Sequence, residues 1–340
     1  MTVPPQPAPI RLSLNENPLG PSPLALQAVK VALTDLSSYP VDARAELMAT
    51  IAARENLPTG QIVLGECLNV LGLYVSAQGG PGGEFISCEP GYTALVDAVV
   101  PVGGRVVGIP LTDRLENDFA AIARRVNDRT RAVYLVNPHN PTGIVAPATE
   151  FIDFVRRLSE RTLVIVDEAY LDFLPDFDQL TAAGLVRDGA RVVVFRTFAK
   201  LHGLAGLCFG YALAPADLAA ALNQLGVGAF FDLNRLSVAA ANASLRDATY
   251  IASVRAAVAA EREAWHALFR QHDVRFTDSQ GNFVFFDAKR PHHEVAAALA
   301  GKGIAIGRGY PALPNWVRIS IGKVEHNAIV RHAVADLLTR

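Results

Sequence analysis

The sequence predicts an α/β protein whose central sheet is mostly parallel, followed by a smaller α+β unit. From about residue 63 to residue 214, short apolar runs rich in Val, Ile and Phe alternate with longer amphipathic stretches. Near-continuous apolar strands separated by helices are typical of a parallel sheet that is covered on both faces. Three further strand-like runs follow beyond residue 280. A chain of 340 residues, 51% of them hydrophobic, has enough material for both units.

The individual elements follow from local signals along the chain. Pro4, Pro5, Pro7 and Pro9 exclude a helix at the start, so the first forty residues are predicted to form an arm with one helix at 24–36. Strands of the central sheet are predicted at 85–88, 105–109, 132–136, 163–166, 192–195 and 209–213, with a helix at 150–160. Helices are predicted at 216–225 and 237–271, and strands of the smaller unit at 281–286, 303–307 and 316–321.

Charge and cysteine content narrow the class of function. The chain carries 31 Lys and Arg against 33 Asp and Glu, a formal net charge of −2. Such a balance gives no global positive field for nucleic acid or an anionic membrane, so we expect a small-molecule partner. Cys67, Cys88 and Cys208 are far apart, which predicts no metal site and suits a reducing cytoplasm. With no secretion signal and no apolar run of about 18 residues, a cytoplasmic protein is expected.

Polar motifs follow several of the predicted strands. The run Asn-Pro-His-Asn-Pro-Thr-Gly occupies 137–143, Asp-Glu-Ala-Tyr occupies 167–170, and Lys200 follows the strand at 192–195. Each alone is explained by a turn, a helix cap or a solvated charge. Together they lie where a parallel sheet binds its ligand, outside the carboxyl ends of its strands. Their conjunction therefore predicts a ligand site.

These motifs, with Asn15-Glu16-Asn17-Pro18, the run Gly-Leu-Ala-Gly-Leu at 203–207 and the run Arg-Ile-Ser-Ile-Gly at 318–322, resemble a known family in order and spacing. The sequence is similar to fold type I pyridoxal-phosphate aminotransferases, and most to the histidinol-phosphate aminotransferase branch, from about residue 10 to the C-terminus. The resemblance implies an aspartate aminotransferase-like fold with a mostly parallel seven-stranded sheet. It implies an N-terminal arm at 1–40 that completes the small domain or dimer contact, a large cofactor-binding domain at 41–240 and a small α+β domain at 241–340.

The resemblance also implies roles for the residues that carry the chemistry. Lys200 would form the Schiff base with pyridoxal 5'-phosphate and move a proton between the substrate and the cofactor. Asp167 would pair with the pyridine nitrogen. Asn140 and Tyr170 would donate hydrogen bonds to the phenolic oxygen of the ring, and Tyr92 would lie over the ring face.

Further residues are expected to hold the cofactor phosphate and the substrate. By resemblance, Glu66, Cys67 and Thr197 belong to the cofactor-binding set, and Tyr39 would reach the cofactor phosphate of a neighbouring subunit, which implies a homodimer. Arg318 would bind the substrate carboxylate through its planar fork, and Asn15 belongs to the same substrate-binding set.

The sequence departs from the family at the phosphate-binding end. Leu68 and Ala199 occupy positions where the family usually has serine, and Cys208 replaces the arginine eight residues after the lysine. The segment 303–318, with Arg308, also differs in length from the family pattern. Three side chains that normally hold the phosphate are therefore absent, and a phosphate-bearing substrate does not follow from the sequence.

Three functions remain open at this point. The leading hypothesis is an aminotransferase that acts on an amino acid (histidinol-phosphate-like, aromatic or another) and a 2-oxo acid. A pyridoxal-phosphate-dependent amino-acid decarboxylase would need the same Lys200 and Asp167, and a non-catalytic relative would explain the altered phosphate end. A nicotinamide enzyme ranks last because the glycine cluster at 79–83 lacks the GxGxxG spacing.

Overall fold

The computed structural model describes residues 9–339, in which thirteen α-helices and eleven strands follow the predicted alternation. The strands are β1 Ile10–Leu12, β2 Ile62–Leu64, β3 Glu84–Glu89, β4 Arg105–Pro110, β5 Thr130–Val136, β6 Leu163–Asp167, β7 Val192–Thr197, β8 Gly210–Leu213, β9 Phe283–Asp287, β10 Ile304–Ile306 and β11 Trp316–Ser320. The helices are α1 Pro23–Ala32, α2 Val41–Glu55, α3 Cys67–Ala77, α4 Ala94–Val99, α5 Phe119–Arg125, α6 Ala148–Ser159, α7 Phe177–Leu180, α8 Ala183–Arg187, α9 Ala216–Gln224, α10 Arg235–Arg246, α11 Ala248–Gln271, α12 His292–Ala300 and α13 Val324–Leu338.

The central sheet has seven strands in the order β2-β8-β7-β6-β5-β3-β4. Strand β8 pairs antiparallel with both β7 and β2, and the other neighbouring pairs are parallel. This confirms the mostly parallel seven-stranded sheet. The strand β2 has no counterpart among the predicted strands, because three residues are too short to give a pattern. Strand β8 reverses direction because the connection from β7 contains only a 3₁₀ turn, whereas a parallel crossover normally uses a full helix.

Both faces of this sheet are buried, as the apolar strands require. Along β5, Val133 and Leu135 pack into the core on one face, with Phe151 of α6. Tyr134 and Val136 pack into the core on the other face. The alternation follows from the two-residue period of a strand. It determines which side chains of neighbouring strands share a face near the functional site.

The C-terminal part is built on a second apolar cluster. Strands β9 and β11 pair antiparallel, and β1 of the N-terminal arm pairs parallel with β10. Trp265 and Phe269 of α11 are fully buried in this cluster. The arm therefore joins the C-terminal part through main-chain hydrogen bonds. The predicted boundary between the large and the small domain, at residues 240 and 241, falls within helix α10.

The helix predicted at 237–271 is interrupted, which corrects that prediction. Asp247 ends α10 and caps α11, because its side chain accepts a hydrogen bond from the Tyr250 backbone N–H at 3.2 Å. Aspartate at this position satisfies a donor that the first turn of a helix leaves free. Similarly, the helix predicted at 24–36 ends as α1 at Ala32 and continues as a 3₁₀ turn over Leu33–Asp35.

A buried ion-pair network ties α2 to the central sheet. The Arg196 guanidinium on β7 lies 2.9 Å from the Glu55 carboxylate and 3.0 Å from that of Glu168. The Tyr211 hydroxyl on β8 donates to the same Glu55 carboxylate at 2.8 Å. These charged groups are paired, which is what their burial requires.

Among the helices described in residues 9–339, none combines the length and apolar character needed to cross a bilayer.

Candidate active site

A cavity of about 790 Å³ opens where β5, β6 and β7 end, between the central sheet and the C-terminal part. The arrangement places ligand-binding residues outside the carboxyl ends of parallel strands. Seven predicted site residues line it: Asn15, Glu66, Tyr92, Asn140, Tyr170, Lys200 and Arg318. The other four predicted residues are not part of its lining: Asp167, Cys67 and Thr197 are buried, and Tyr39 is exposed.

Lys200 extends its amine into the cavity. Its Nζ donates to the Leu14 backbone carbonyl at 3.1 Å. Burial lowers the pKa of Lys200 below its usual value, and the positive charge of Arg318 lowers this pKa further. A larger fraction of Lys200 is therefore in the neutral, nucleophilic form than for a lysine in water at the same pH.

The Asp167 carboxylate lies at the end of β6 and is almost fully buried. Its Oδ2 accepts a hydrogen bond from the Tyr134 hydroxyl at 2.6 Å, and its Oδ1 accepts one from the Ala169 backbone N–H at 3.0 Å. Burial raises the pKa of Asp167, while both hydrogen bonds and the charge of Lys200 act in the opposite direction. Sequence reasoning missed Tyr134, because it stands in a strand that otherwise reads as core.

Arg318, Asn140 and Tyr170 form one hydrogen-bonded group on the cavity wall. Arg318 Nη1 donates to Asn140 Oδ1 at 2.6 Å, and its Nη2 donates to the Ser13 carbonyl at 2.9 Å. The Tyr170 hydroxyl accepts from Asn140 Nδ2 at 3.3 Å and from Asn15 Nδ2 at 3.0 Å. Among residues 9–339 the Nε of Arg318 has no hydrogen-bond partner, and this atom is closed to solvent. Arg318 lines the cavity, and Nη1 and Nη2 each keep a second N–H, so its guanidinium can bind a ligand carboxylate.

One end of the cavity is formed by the start of α3. Glu66 precedes the helix without a capping hydrogen bond, and Cys67 is its first residue. The Cys67 thiol donates to the Gly65 carbonyl at 3.1 Å, and burial raises its pKa to about 12. Burial likewise raises the pKa of Glu66, reinforced by Asp167. The backbone N–H groups of the first helical turn have no partner within the helix, so they can bind an anion at this end.

Three side chains beside this helix start, those of Thr197, Cys208 and Leu68, offer little to an anion. Thr197 Oγ1 accepts from the Ala199 N–H at 3.0 Å and donates to the Phe209 carbonyl at 3.4 Å. Cys208 lines the cavity with a left-handed backbone (φ 46°), and its thiol lies 3.7 Å from the Ala205 carbonyl. Leu68 is buried and points into the apolar core. Position 208 thus contributes no positive charge.

The mouth of the cavity carries a second guanidinium group, that of Arg308, which is not among the predicted site residues. Arg308 lies 5.7 Å from the ring centre of Tyr310, and its Nη2 is 3.5 Å from the Gly91 carbonyl. Tyr92 lines the same side and is 43% exposed, and burial raises its pKa to about 12. Arg308 and Arg318 therefore place two positive charges on one cavity.

Comparison with known proteins decides the family. The aminotransferase class I and II family matches residues 7–334. The chain belongs to this family. The aminotransferase is 35% identical over 332 residues to a histidinol-phosphate aminotransferase of Limosilactobacillus fermentum, covering 96% of this chain and 91% of that protein. It is 34% identical over 335 residues to histidinol-phosphate aminotransferase 1 of Thiobacillus denitrificans, covering 97% and 85% of the two chains.

Solved structures agree with this assignment. The histidinol-phosphate aminotransferase of Sinorhizobium meliloti, in complex with pyridoxal 5'-phosphate, superposes with a TM-score of 0.86 at 28% identity, covering 98% of this chain and 92% of that chain. The aspartate aminotransferase of Thermotoga maritima shares the fold, with a TM-score of 0.84 at 20% identity, covering 98% and 92%. The predicted fold, the family branch and a pyridoxal-phosphate-dependent aminotransferase are therefore confirmed.

The residues of this aminotransferase fit pyridoxal 5'-phosphate at its ring end. A buried carboxylate for a pyridine nitrogen, an amine with a lowered pKa and hydroxyl and amide groups for a phenolic oxygen meet around one cavity. At the phosphate end the fit rests on main-chain donors, since Ala199 and Cys208 provide neither hydroxyl nor charge. Within residues 9–339 no cluster of three potential metal ligands is present.

Proposed function

We propose that the aminotransferase transfers the amino group of a histidinol-phosphate-like amino compound to a 2-oxo acid, with Lys200 as its central residue. The observation that carries the proposal is the convergence of Lys200 and Arg318 on one cavity, with the buried Asp167 carboxylate close enough to act on the pKa of Lys200. A transamination site needs three groups: an amine that transfers protons, a guanidinium that binds an anionic group of the substrate, and a carboxylate that pairs with the cofactor ring.

Pyridoxal 5'-phosphate, when bound, supplies an electron sink for the charge that develops at the carbon bearing the amino group. Lys200 would hold the cofactor covalently and, as a neutral amine, would take up and return the proton that moves during the transfer. Its lowered pKa suits both tasks. Asp167 would keep the ring nitrogen protonated, Tyr170 and Asn140 would bind the phenolic oxygen, and Tyr92 would pack on the ring face.

Arg318 orients the substrate. Nη1 and Nη2 each keep a second N–H that can donate to an incoming anionic group, the phosphate of histidinol phosphate or a carboxylate of the 2-oxo acid. The hydrogen bond from Arg318 to Asn140 couples the substrate-binding arginine to the cofactor-binding amide. Asn15 belongs to the same wall and is held by Ser320, whose hydroxyl donates to its Oδ1 at 2.9 Å. The residues from both ends of the chain thus form one substrate-binding surface.

Arg308 selects a substrate that carries a phosphate group. It lies at the mouth, where its side chain is exposed and only weakly engaged with Gly91. The relatives named histidinol-phosphate aminotransferases support a phosphate as this group. Because Arg308 and Arg318 share the cavity, a substrate with an anionic group at the mouth is favoured over a neutral one.

A screen of amino donors against 2-oxoglutarate tests this proposal. We expect histidinol phosphate to be used far better than histidinol or an aromatic amino acid. Arg308→Gln is expected to raise the KM for histidinol phosphate about ten-fold, through the loss of one charge-assisted contact, without changing the KM for an unphosphorylated donor. Arg114→Gln, on an exposed arginine outside the cavity, is the control. Equal KM changes for both donors would contradict a phosphate-selecting role of Arg308.

The active unit is proposed to be a homodimer in the cytoplasm. Tyr39 is 63% exposed, and its ring contacts that of Phe230 edge-on at 5.5 Å, beside Phe231, which is 61% exposed. Neighbouring exposed apolar residues of this kind are typical of a protein–protein interface. In such a dimer the Tyr39 hydroxyl would reach the partner's cofactor phosphate and add a donor to its main-chain cradle. The unpaired cysteines suit a reducing compartment.

Restoring a positive charge at position 208 is expected to strengthen cofactor binding. A phosphate carries nearly two negative charges, and a charge-assisted hydrogen bond contributes roughly 1.5–3 kcal/mol. We therefore expect Cys208→Arg to lower the dissociation constant of pyridoxal 5'-phosphate by about ten- to a hundred-fold. The measurement is a cofactor titration followed by absorbance, with melting temperature as a second readout.

The matched control for this experiment is Cys208→Ala, which removes the thiol without adding charge and should leave the dissociation constant unchanged. Tight binding by the wild-type protein together with weaker binding by Cys208→Arg would contradict the prediction. That result would mean that other groups already neutralise the phosphate.

A further inference from the structure

The Tyr134 hydroxyl is a polar group in an otherwise apolar strand. Tyr134 is 2% exposed and lies in the middle of β5, between Val133 and Leu135. Its ring packs among aliphatic side chains of the sheet face that α3 and α4 cover. A buried phenol needs a hydrogen-bond partner, and the partner recorded for it is Asp167 Oδ2 at 2.6 Å.

The sheet register explains why this tyrosine reaches this carboxylate. Tyr134 on β5 pairs with Ile165 on β6, and Val136 pairs with Asp167. Tyr134 is therefore the diagonal neighbour of Asp167 on the same face, a separation that aromatic side chains span. An aliphatic residue at this position would fill the core but could not reach the carboxylate.

The hydrogen bond from Tyr134 to Asp167 is suited to hold the carboxylate in one orientation. A distance of 2.6 Å is typical of a hydroxyl that donates to an ionised oxygen, which is among the stronger hydrogen bonds in proteins. With Oδ2 held by Tyr134 and Oδ1 held by the Ala169 N–H, both oxygens of Asp167 have one defined partner. Each retains acceptor capacity for a further donor.

We infer that Tyr134 is a positioning residue that fixes the Asp167 carboxylate and keeps it ionised for the ring nitrogen of the cofactor. This inference rests on the proposed function of Asp167. Without Tyr134, the buried carboxyl would take up a proton more readily and would no longer be held in one orientation. Titratable groups that face Asp167 from the surrounding elements are Tyr134, Tyr170, Lys200, Glu66 and Tyr92.

The test compares Tyr134→Phe with Tyr211→Phe. Both changes remove one buried phenol oxygen that donates to a carboxylate, at 2.6 Å to Asp167 and at 2.8 Å to Glu55. The dissociation constant of pyridoxal 5'-phosphate is measured from pH 5 to pH 9, and the melting temperature without cofactor checks folding. We expect Tyr134→Phe to weaken cofactor binding about ten-fold at neutral pH and to shift the loss of affinity on acidification to higher pH. Tyr211→Phe should change neither.

The variant Asp167→Asn separates this inference from the proposed function. It should weaken cofactor binding by itself, and adding Tyr134→Phe to it should have little further effect, because the two residues act as one unit. If Asp167→Asn binds cofactor as the wild type does, the role of Asp167 is wrong and the inference is overturned with it. If Asp167→Asn weakens binding while Tyr134→Phe matches Tyr211→Phe, only the role of Tyr134 is overturned. Should Tyr134→Phe fail to fold, Tyr134→Leu undergoes the same titration with the same expected results.

Discussion

Replacing Lys200 by Ala is expected to reduce the rate of amino transfer by at least about 10⁴-fold, since positioned proton transfer alone contributes about 10²–10⁴-fold and the covalent hold on the cofactor is lost as well. Lys200 is the amine that lines the cavity with a lowered pKa. The measurement is single-turnover consumption of the amino donor by cofactor-loaded protein. In parallel, borohydride reduction and peptide mapping should find the cofactor fixed on Lys200 of the wild-type protein.

Lys289→Ala is the matched control, because Lys289 is exposed and its Nζ donates to the Asp273 carbonyl, far from the cavity. It should retain the wild-type rate and cofactor attachment. Cofactor fixed on a lysine other than Lys200, or a Lys200→Ala variant that remains active, would show that the amine has been assigned to the wrong residue.

Replacing Arg318 by Lys is expected to raise the KM for the amino donor roughly 30- to 150-fold. One N–H of Nη1 donates to Asn140 and one N–H of Nη2 donates to Ser13, so each of these nitrogens keeps a second N–H for the ligand. Lysine keeps the charge but cannot reproduce this set of directed donors, which costs on the order of 2–3 kcal/mol. Cofactor affinity should be largely retained, because the residues that hold the cofactor remain. Steady-state kinetics with histidinol phosphate give the KM.

The comparison variant is Arg331→Lys on α13, whose guanidinium pairs with Glu261 outside the cavity. It should leave the KM unchanged. A wild-type KM in Arg318→Lys, for every donor that the protein uses, would exclude Arg318 as the substrate-binding arginine.

The order of motifs along the chain was sufficient to predict the sheet and the family. Asn140, Asp167 and Lys200 each follow an apolar strand, and parallel strands bring such positions to one edge. The near-continuous apolar character of the strands also predicted that both faces of the sheet are buried. These features depend on local sequence, which explains why they could be read without a structure.

What the sequence could not predict depends on register and on long-range contacts. The Tyr134–Asp167 hydrogen bond needs the pairing of Tyr134 with Ile165, and no local pattern determines which residues of two strands pair. The Arg318–Asn140 contact joins residues 178 positions apart in the chain. The break between α10 and α11 was missed because a helical pattern continues through Asp247, and only its capping role ends the first helix.

The central claim, that the protein transfers an amino group, is tested most directly with a ¹⁵N-labelled donor. Purified protein with pyridoxal 5'-phosphate is incubated with ¹⁵N-amino histidinol phosphate and 2-oxoglutarate, and the products are followed by mass spectrometry. We predict that the label appears in glutamate at the rate at which the donor is consumed, and that Lys200→Ala abolishes this transfer. Two results would contradict amino transfer. One is that neither histidinol phosphate nor any amino acid of the panel is consumed and glutamate stays unlabelled. The other is that an amino acid releases carbon dioxide without transfer of the label.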